Sequence, residues 1–184
     1  GYETQLVASK GCLQEPDSVL LPFDWSSLNL LKWFISIWKI RSLLKQNQPD
    51  VVVSHNTRSS LLPLLVARII GVQVRVYFNH GVPYIGHKGI MGWALKNLEK
   101  CNMGLATEVV TVSQDMVDLL ADLVPKEKSP NLINCGSACG LDLRAMFQGM
   151  HGKTEWCEKH GIDAQDLIVI FVGRPEKRKG FQDC

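Results

Sequence analysis

The stretch Leu167-Ile-Val-Ile-Phe-Val-Gly-Arg-Pro-Glu-Lys-Arg-Lys-Gly-Phe181 sets an apolar, β-branched run against a glycine and a cationic turn. A buried parallel strand reads as such a continuous run, and open α/β sheets take their ligands beyond the carboxyl ends of their strands. Arg174 can grip two phosphate oxygens with its planar fork, and Lys179 adds a mobile point charge. Strand followed by cationic turn therefore predicts a parallel sheet with equipment for a diphosphate at its edge.

The same alternation extends through the chain. Strands are expected at Gln5 to Ala8, Ser18 to Leu21, Val51 to Ser54, Val74 to Phe78, Val109 to Val112, Leu132 to Asn134 and Leu167 to Val172. Helical patterns fall between them at Ser27 to Lys45, Arg58 to Ile70, Ile90 to Cys101 and Gln114 to Leu123, with a shorter one near Thr154 to Lys159. Strands alternating with helices predict βαβ units, hence an α/β fold with a doubly wound parallel sheet. Ser113 stands where a helix N-cap belongs, with Asp115 in the first turn. Gln46-Asn-Gln-Pro-Asp50 reads as a loop, since Pro49 biases Gln48 away from helix.

Between Asp142 and Asp166 the chain is polar and carries three glycines, Gly149, Gly152 and Gly161. A domain boundary is expected there, near Gln148. It separates a doubly wound domain lacking its first strand, residues 1–148, from a linker and the opening of a second α/β domain, residues 149–184. The sequence opens on what reads as a second strand. We therefore expect a piece of a longer protein, with a central strand before Gly1 and most of a second domain after Cys184.

Composition narrows the function. The chain has 184 residues, 46% hydrophobic and 21% charged, as ordinary soluble globular proteins do. Its formal net charge of +2 is too mild for a nucleic-acid partner, and the basic cluster at Lys177, Arg178 and Lys179 lacks interleaved aromatics. The most apolar stretches, Trp33 to Trp38 and Ser59 to Ala67, fall short of the roughly 20 residues that span a bilayer. The six cysteines lack the paired spacing of a zinc ribbon. They read as reduced thiols of a cytoplasmic protein, and the pair Cys135 and Cys139 as structural, so no metal site is expected.

Six segments together carry a resemblance, the first of them the opening strand Gly1-Tyr-Glu-Thr-Gln-Leu-Val-Ala8. Gln48-Pro-Asp-Val-Val-Val-Ser-His55 and Val76-Tyr-Phe-Asn-His-Gly81 are two strands that each deliver a histidine. Ala106-Thr-Glu-Val-Val-Thr-Val-Ser113 is another strand, Asn134-Cys-Gly-Ser-Ala-Cys-Gly-Leu-Asp-Leu143 a glycine turn, and Gly173-Arg-Pro-Glu-Lys-Arg-Lys-Gly180 the cationic turn. In this order they resemble the retaining group-1 (family 4) glycosyltransferases of GT-B architecture, in the variant that builds bacterial capsule, O-antigen or similar surface glycans. Thr107 and Glu108 stand where the family has its acidic strand start, and Cys139 where asparagine is usual. The family's glycine-rich first loop and its paired glutamates fall outside this sequence, so the chain alone is expected to be inactive.

The resemblance implies a nucleoside-diphosphate-sugar donor, a lipid-linked or other saccharide acceptor, no metal cofactor, and work at the cytoplasmic face of the membrane. It places Gly173, Arg174, Lys179 and Gly180 at the donor diphosphate, where Arg174 and Lys179 stabilise charge on the leaving group. It sets His80 against the donor sugar, beside Gly81. A solvated basic turn and a histidine satisfied within a turn are the plain alternatives. His55 and Arg58 are weaker acceptor-side candidates. So is Tyr84 in the glycine-rich loop Gly81 to Gly89, which reads equally as an ordinary connection. Gly136, Ser137 and Gly140 are expected to set a tight turn. The helix Ser27 to Lys45, with Lys32, Lys39, Arg41 and Lys45 among its apolar residues, suits either an anionic membrane surface or, the preferred expectation, packing against its own sheet. Other functions open at this stage are a nucleotide-sugar epimerase or a phosphorylase on the same architecture, and a non-catalytic α/β module that binds a nucleotide or a protein partner.

Overall fold

The computed structural model describes the backbone at residues 7–9 and 19–21, and residues 30–124, 128–133, 136, 144, 153–163, 165–168, 171–173, 175 and 180–182. Strands β1 (Val7–Ser9) and β2 (Val19–Leu21) form a parallel pair. Strands β3 (Val51–His55), β4 (Val74–Asn79), β5 (Glu108–Thr111) and β6 (Asn131–Leu132) form a second sheet in that spatial order, every neighbour parallel. Among the described residues no ladder joins the two sheets.

Each parallel neighbour needs a crossover, and helices supply it. Helix α1 (Leu30–Asn47) leads into β3, and α2 (Thr57–Ile70) links β3 to β4. Helix α3 (Gly89–Leu105), preceded by a short 3-10 turn at Pro83–Gly86, links β4 to β5, and α4 (Gln114–Ala121) links β5 to β6. The architecture is the α/β, Rossmann-like parallel sheet that the alternation predicts.

Local chemistry sets the element ends. Helix α1 stops at Asn47 because Gln48, before Pro49, leaves the helical region for a φ of 42°. The Ser113 hydroxyl accepts from the Met116 amide at 3.4 Å, capping α4 with Asp115 in its first turn. Helix α3 runs past the expected Cys101 to Leu105, since the face bearing Leu95, Glu99, Asn102 and Met103 stays buried through its last turns.

One core lies where α2, α3 and α4 meet the sheet, built from Leu64, Tyr77, Met103, Ala106, Val109 and Leu120. Ile40 of α1 joins Leu62 and Val66 of α2 in a second cluster, flanked by Trp33, Ile37 and Leu44. Helix α1 therefore packs chiefly on α2, not directly on the sheet as expected. Its other side leaves Leu31, Phe34 and Trp38 about two-thirds exposed. No helix of the described residues is long and apolar enough to cross a membrane.

The chain divides into two compact units, Gly1–Ala138 and Cys139–Cys184, where the sequence reading set its boundary near Gln148. In the second unit, α5 (Lys153–His160) buries Cys157, and the Trp156 ring stacks on His160 at 4.3 Å. The strand expected over Leu167 to Val172 is not formed at Leu167, Ile168, Phe171 or Val172, and Leu167 and Val172 are each 91% exposed. Among the described residues of this unit there is no second strand to pair with it, and an extended segment without a ladder partner leaves its amides and carbonyls to water.

Candidate active site

Parallel pairing brings two of the sequence candidates together. His55 closes β3 and His80 follows β4, and the register sets His55 beside Phe78. The three rings stack, with centroids 5.4 Å apart for His55 and Phe78, 4.7 Å for Phe78 and His80, and 5.1 Å for the two histidines. His55 Nδ1 lies 2.8 Å from His80 Nε2. A hydrogen bond between two imidazoles needs a lone pair on one of them, so at least one ring of the pair is neutral while it lasts. Burial first, and the charge of His80 second, hold His55 below the ordinary histidine value.

The turn from β3 into α2 is fixed from several directions. Asn56 takes a φ of 66° and a ψ of 151°, a conformation that costs a non-glycine residue roughly 1–3 kcal/mol. Its amide donates to the Phe78 carbonyl at 3.2 Å, its carbonyl accepts from the Ser60 hydroxyl at 2.6 Å, and the Ser59 hydroxyl donates to the His55 carbonyl. Arg58, in the first turn of α2, is exposed at the same edge of the sheet.

The turn beyond β4 is held by Asn79. Its Oδ1 accepts from the Gly81 amide at 2.8 Å, a side-chain turn that sets the backbone around His80. Its Nδ2 donates to the Tyr77 hydroxyl at 3.2 Å and to Oε1 of Glu99. Phe78 and His80 face one side of the sheet, while Tyr77 and Asn79 are fully buried on the other.

The loop Gly81 to Gly89 is more fixed than a glycine-rich stretch suggests. Val82 and Tyr84 pack against the core, and His87 Nδ1 lies 2.9 Å from the Pro83 carbonyl oxygen. Gly92 lets that loop close on α3, because a Cβ there would sit 2.3 Å from the His87 carbonyl oxygen. Tyr84 is half-buried, with Lys96 Nζ 5.8 Å from its ring centroid. Burial, then the carboxyls of Glu99 and Asp122, push its phenol above the ordinary range. The ring thus has a packing role at the foot of the loop.

The cationic turn is described only at its edges. Arg174 and Lys179 lie outside the described residues, as do Ser137 and Gly140. Gly173 and Gly180 are described; Gly180 has a φ of 73°, and Phe171 meets Phe181 edge-on at 5.3 Å. Gly136 makes the tight turn expected of it. Its φ is 90°, and a Cβ would meet the Val112 carbonyl oxygen at 2.6 Å. Among the described residues no three His, Cys, Asp or Glu side chains are placed to share a metal ion.

Sequence reasoning overlooked Asn56, Phe78, Asn79 and Glu99. Glu99 left one signal, a carboxyl set among Leu95, Asn102 and Met103 at the three- and four-residue spacing of a buried helix face.

Residues 1–136 match the family model described as Glycosyltransferase Family 4. The chain is also similar to the capsular polysaccharide biosynthesis glycosyltransferase CapM of Staphylococcus aureus, at 26% identity over 150 residues, covering 80% of this chain. Those residues make up 39% of that relative's length.

Proposed function

The chain belongs to glycosyltransferase family 4, and from that premise we propose that its protein moves a sugar, with retention, from a nucleoside-diphosphate donor to a saccharide acceptor during capsule or similar surface-polysaccharide synthesis. The observation that carries the proposal is the His55–His80 pair at the carboxyl ends of two adjacent parallel strands. That edge is where open α/β sheets bind ligands. The similarity to the Staphylococcus aureus capsular polysaccharide glycosyltransferase supports the polysaccharide class.

In this scheme His80 faces the donor sugar, and its ring and the neighbouring backbone steady charge as the glycosidic bond opens. Arg174 and Lys179, between Gly173 and Gly180, hold the departing diphosphate. Fixed cations there are worth most in the transition state, because the leaving group gains charge as it departs. The leaving phosphate accepts the proton of the attacking hydroxyl, so no protein base is required. Two cationic side chains and a helix N-terminus supply the positive potential that a metal would otherwise provide. His55, Arg58 and the loop carrying Tyr84 border the acceptor. The acceptor is lipid-linked, and the exposed Leu31, Phe34 and Trp38 beside Lys32 and Lys39 rest against the cytoplasmic face of an anionic membrane.

The test is a transfer assay on the full-length protein with radiolabelled nucleotide-sugars and a membrane lipid extract. His80→Ala is expected to lower kcat about 10²–10³-fold, and Arg174→Ala to nearly abolish transfer with the fold intact. Normal turnover in both variants would overturn the assignment.

A further inference from the structure

One buried cluster has no part in gripping donor or acceptor. Glu99 and Asn102 are fully buried on the inward face of α3. Glu99 Oε1 accepts from the Tyr77 hydroxyl at 2.6 Å and from Asn79 Nδ2. Asn102 donates its amide to the Thr57 carbonyl at 2.6 Å. That leaves two buried oxygens with no hydrogen-bond partner, Oε2 of Glu99 and Oδ1 of Asn102. Residues three apart on a helix are neighbours on one face, so the two orphan acceptors belong to adjacent side chains. A proton on Oε2 makes that oxygen a donor and removes both vacancies at once. The alternative is an ionised carboxyl in the core with one oxygen unserved, a costly arrangement.

We propose that Glu99 is a positioning residue of the site: its carboxyl carries a proton on Oε2, directed to Asn102 Oδ1, and through Oε1 it holds Asn79, which clamps the Gly81 amide and so fixes the turn presenting His80. The positioning half of the proposal rests on the donor-facing role given to His80; the protonated carboxyl does not. The surroundings favour the neutral acid. Burial raises Glu99 above the ordinary carboxyl range, against smaller opposing effects of hydrogen bonds from Tyr77, Thr57 and Asn79. Facing it are Tyr77 and Asn79 from β4 and Thr57 from α2; among the effects on Glu99 none comes from a cation.

The sign of the pH dependence follows. A carboxyl whose folded value lies above its unfolded one contributes stability that is complete below the unfolded value and lost as pH rises through the folded value. Glu99→Gln reproduces the neutral acid, with an oxygen to accept from Tyr77 and Asn79 and a nitrogen to donate to Asn102. In the full-length protein its Tm is expected to gain on wild type progressively between pH 5 and pH 8. All other titratable groups are common to the two proteins and cancel from the comparison. A Tm difference constant over that range would overturn the protonated carboxyl.

Glu99→Leu fills the space but lets Asn79 go. Its folded fraction is expected to lose about tenfold or more in kcat, with activity restored in Glu99→Gln. An unchanged kcat in Glu99→Leu, in an enzyme that His80→Ala impairs, would overturn the positioning role alone. Normal transfer in His80→Ala would instead overturn the function given to His80 and the positioning role with it, leaving the Tm comparison to decide the carboxyl.

Discussion

Adding a proton to His55 sets a charge on a partly buried ring beside His80, and the pair then keeps its hydrogen bond only through a lone pair on His80 Nε2. The depressed value of His55 has a definite sign in stability. Its contribution is complete above the unfolded value of about 6.5 and is lost as pH falls through the lower folded value. Between pH 7 and pH 5 the Tm of the wild type is therefore expected to fall more steeply than that of His55→Gln, which differential scanning calorimetry would read directly. Parallel slopes would mean that His55 is not depressed in solution. At this scale the sequence revealed the two histidines, because each ends a recognisable strand. It did not reveal that they touch, since contact depends on the register that sets His55 beside Phe78. Glu99 escaped notice for another reason: charged residues on a helix are normally solvated, and only the tertiary packing of α3 against β4 shows which face is inside.

Elements were legible to the extent that they carry their own signals. The Ser113 cap and the Pro49 stop are local chemistry, and both appear where the sequence sets them. Ser113→Ala is expected to cost about 1 kcal/mol in urea unfolding through loss of the Met116 amide bond. Gly136→Ala should cost more than that. The new methyl has to be carried at a φ of 90° and would also press on the Val112 carbonyl oxygen; an unaltered urea midpoint would mean that the turn is not formed as described. The partner of α1 was not legible, because a helix with apolar residues on two sides does not say which side is covered, or whether a sheet or another helix covers it. Its seat on α2 predicts that Ile40→Ala loses roughly 2–5 kcal/mol by leaving a cavity beside Leu62 and Val66. Leu167 to Val172 failed in the opposite sense. Its β-branched composition is that of a strand, but strand formation belongs to a pair, and no partner for it is found among the described residues.

For the whole molecule, the α/β class was readable from alternation alone, while the division at Ala138 was blurred by a polar stretch with several glycines and no sharp break. The chain covers about two fifths of the Staphylococcus aureus relative. Full-length protein should co-sediment with vesicles containing anionic phosphatidylglycerol and release them at high salt, with Phe34→Ser and Trp38→Ser weakening the association. Equal recovery with neutral vesicles would remove the charge component of that contact. Strand β4 finally ties core and chemistry together by parity. Its odd-numbered positions, Tyr77 and Asn79, serve the acid network, and the even-numbered Phe78 and His80 serve the ring stack. Substituting a ring leaves the acid network in place, whereas substituting Asn79 also releases the turn that presents His80. Removing a single residue upstream in that strand would exchange the places of the two sets, turning imidazole toward the interior and amide toward solvent. Point changes in β4 should therefore be graded in effect, and single-residue deletions within it uniformly destructive.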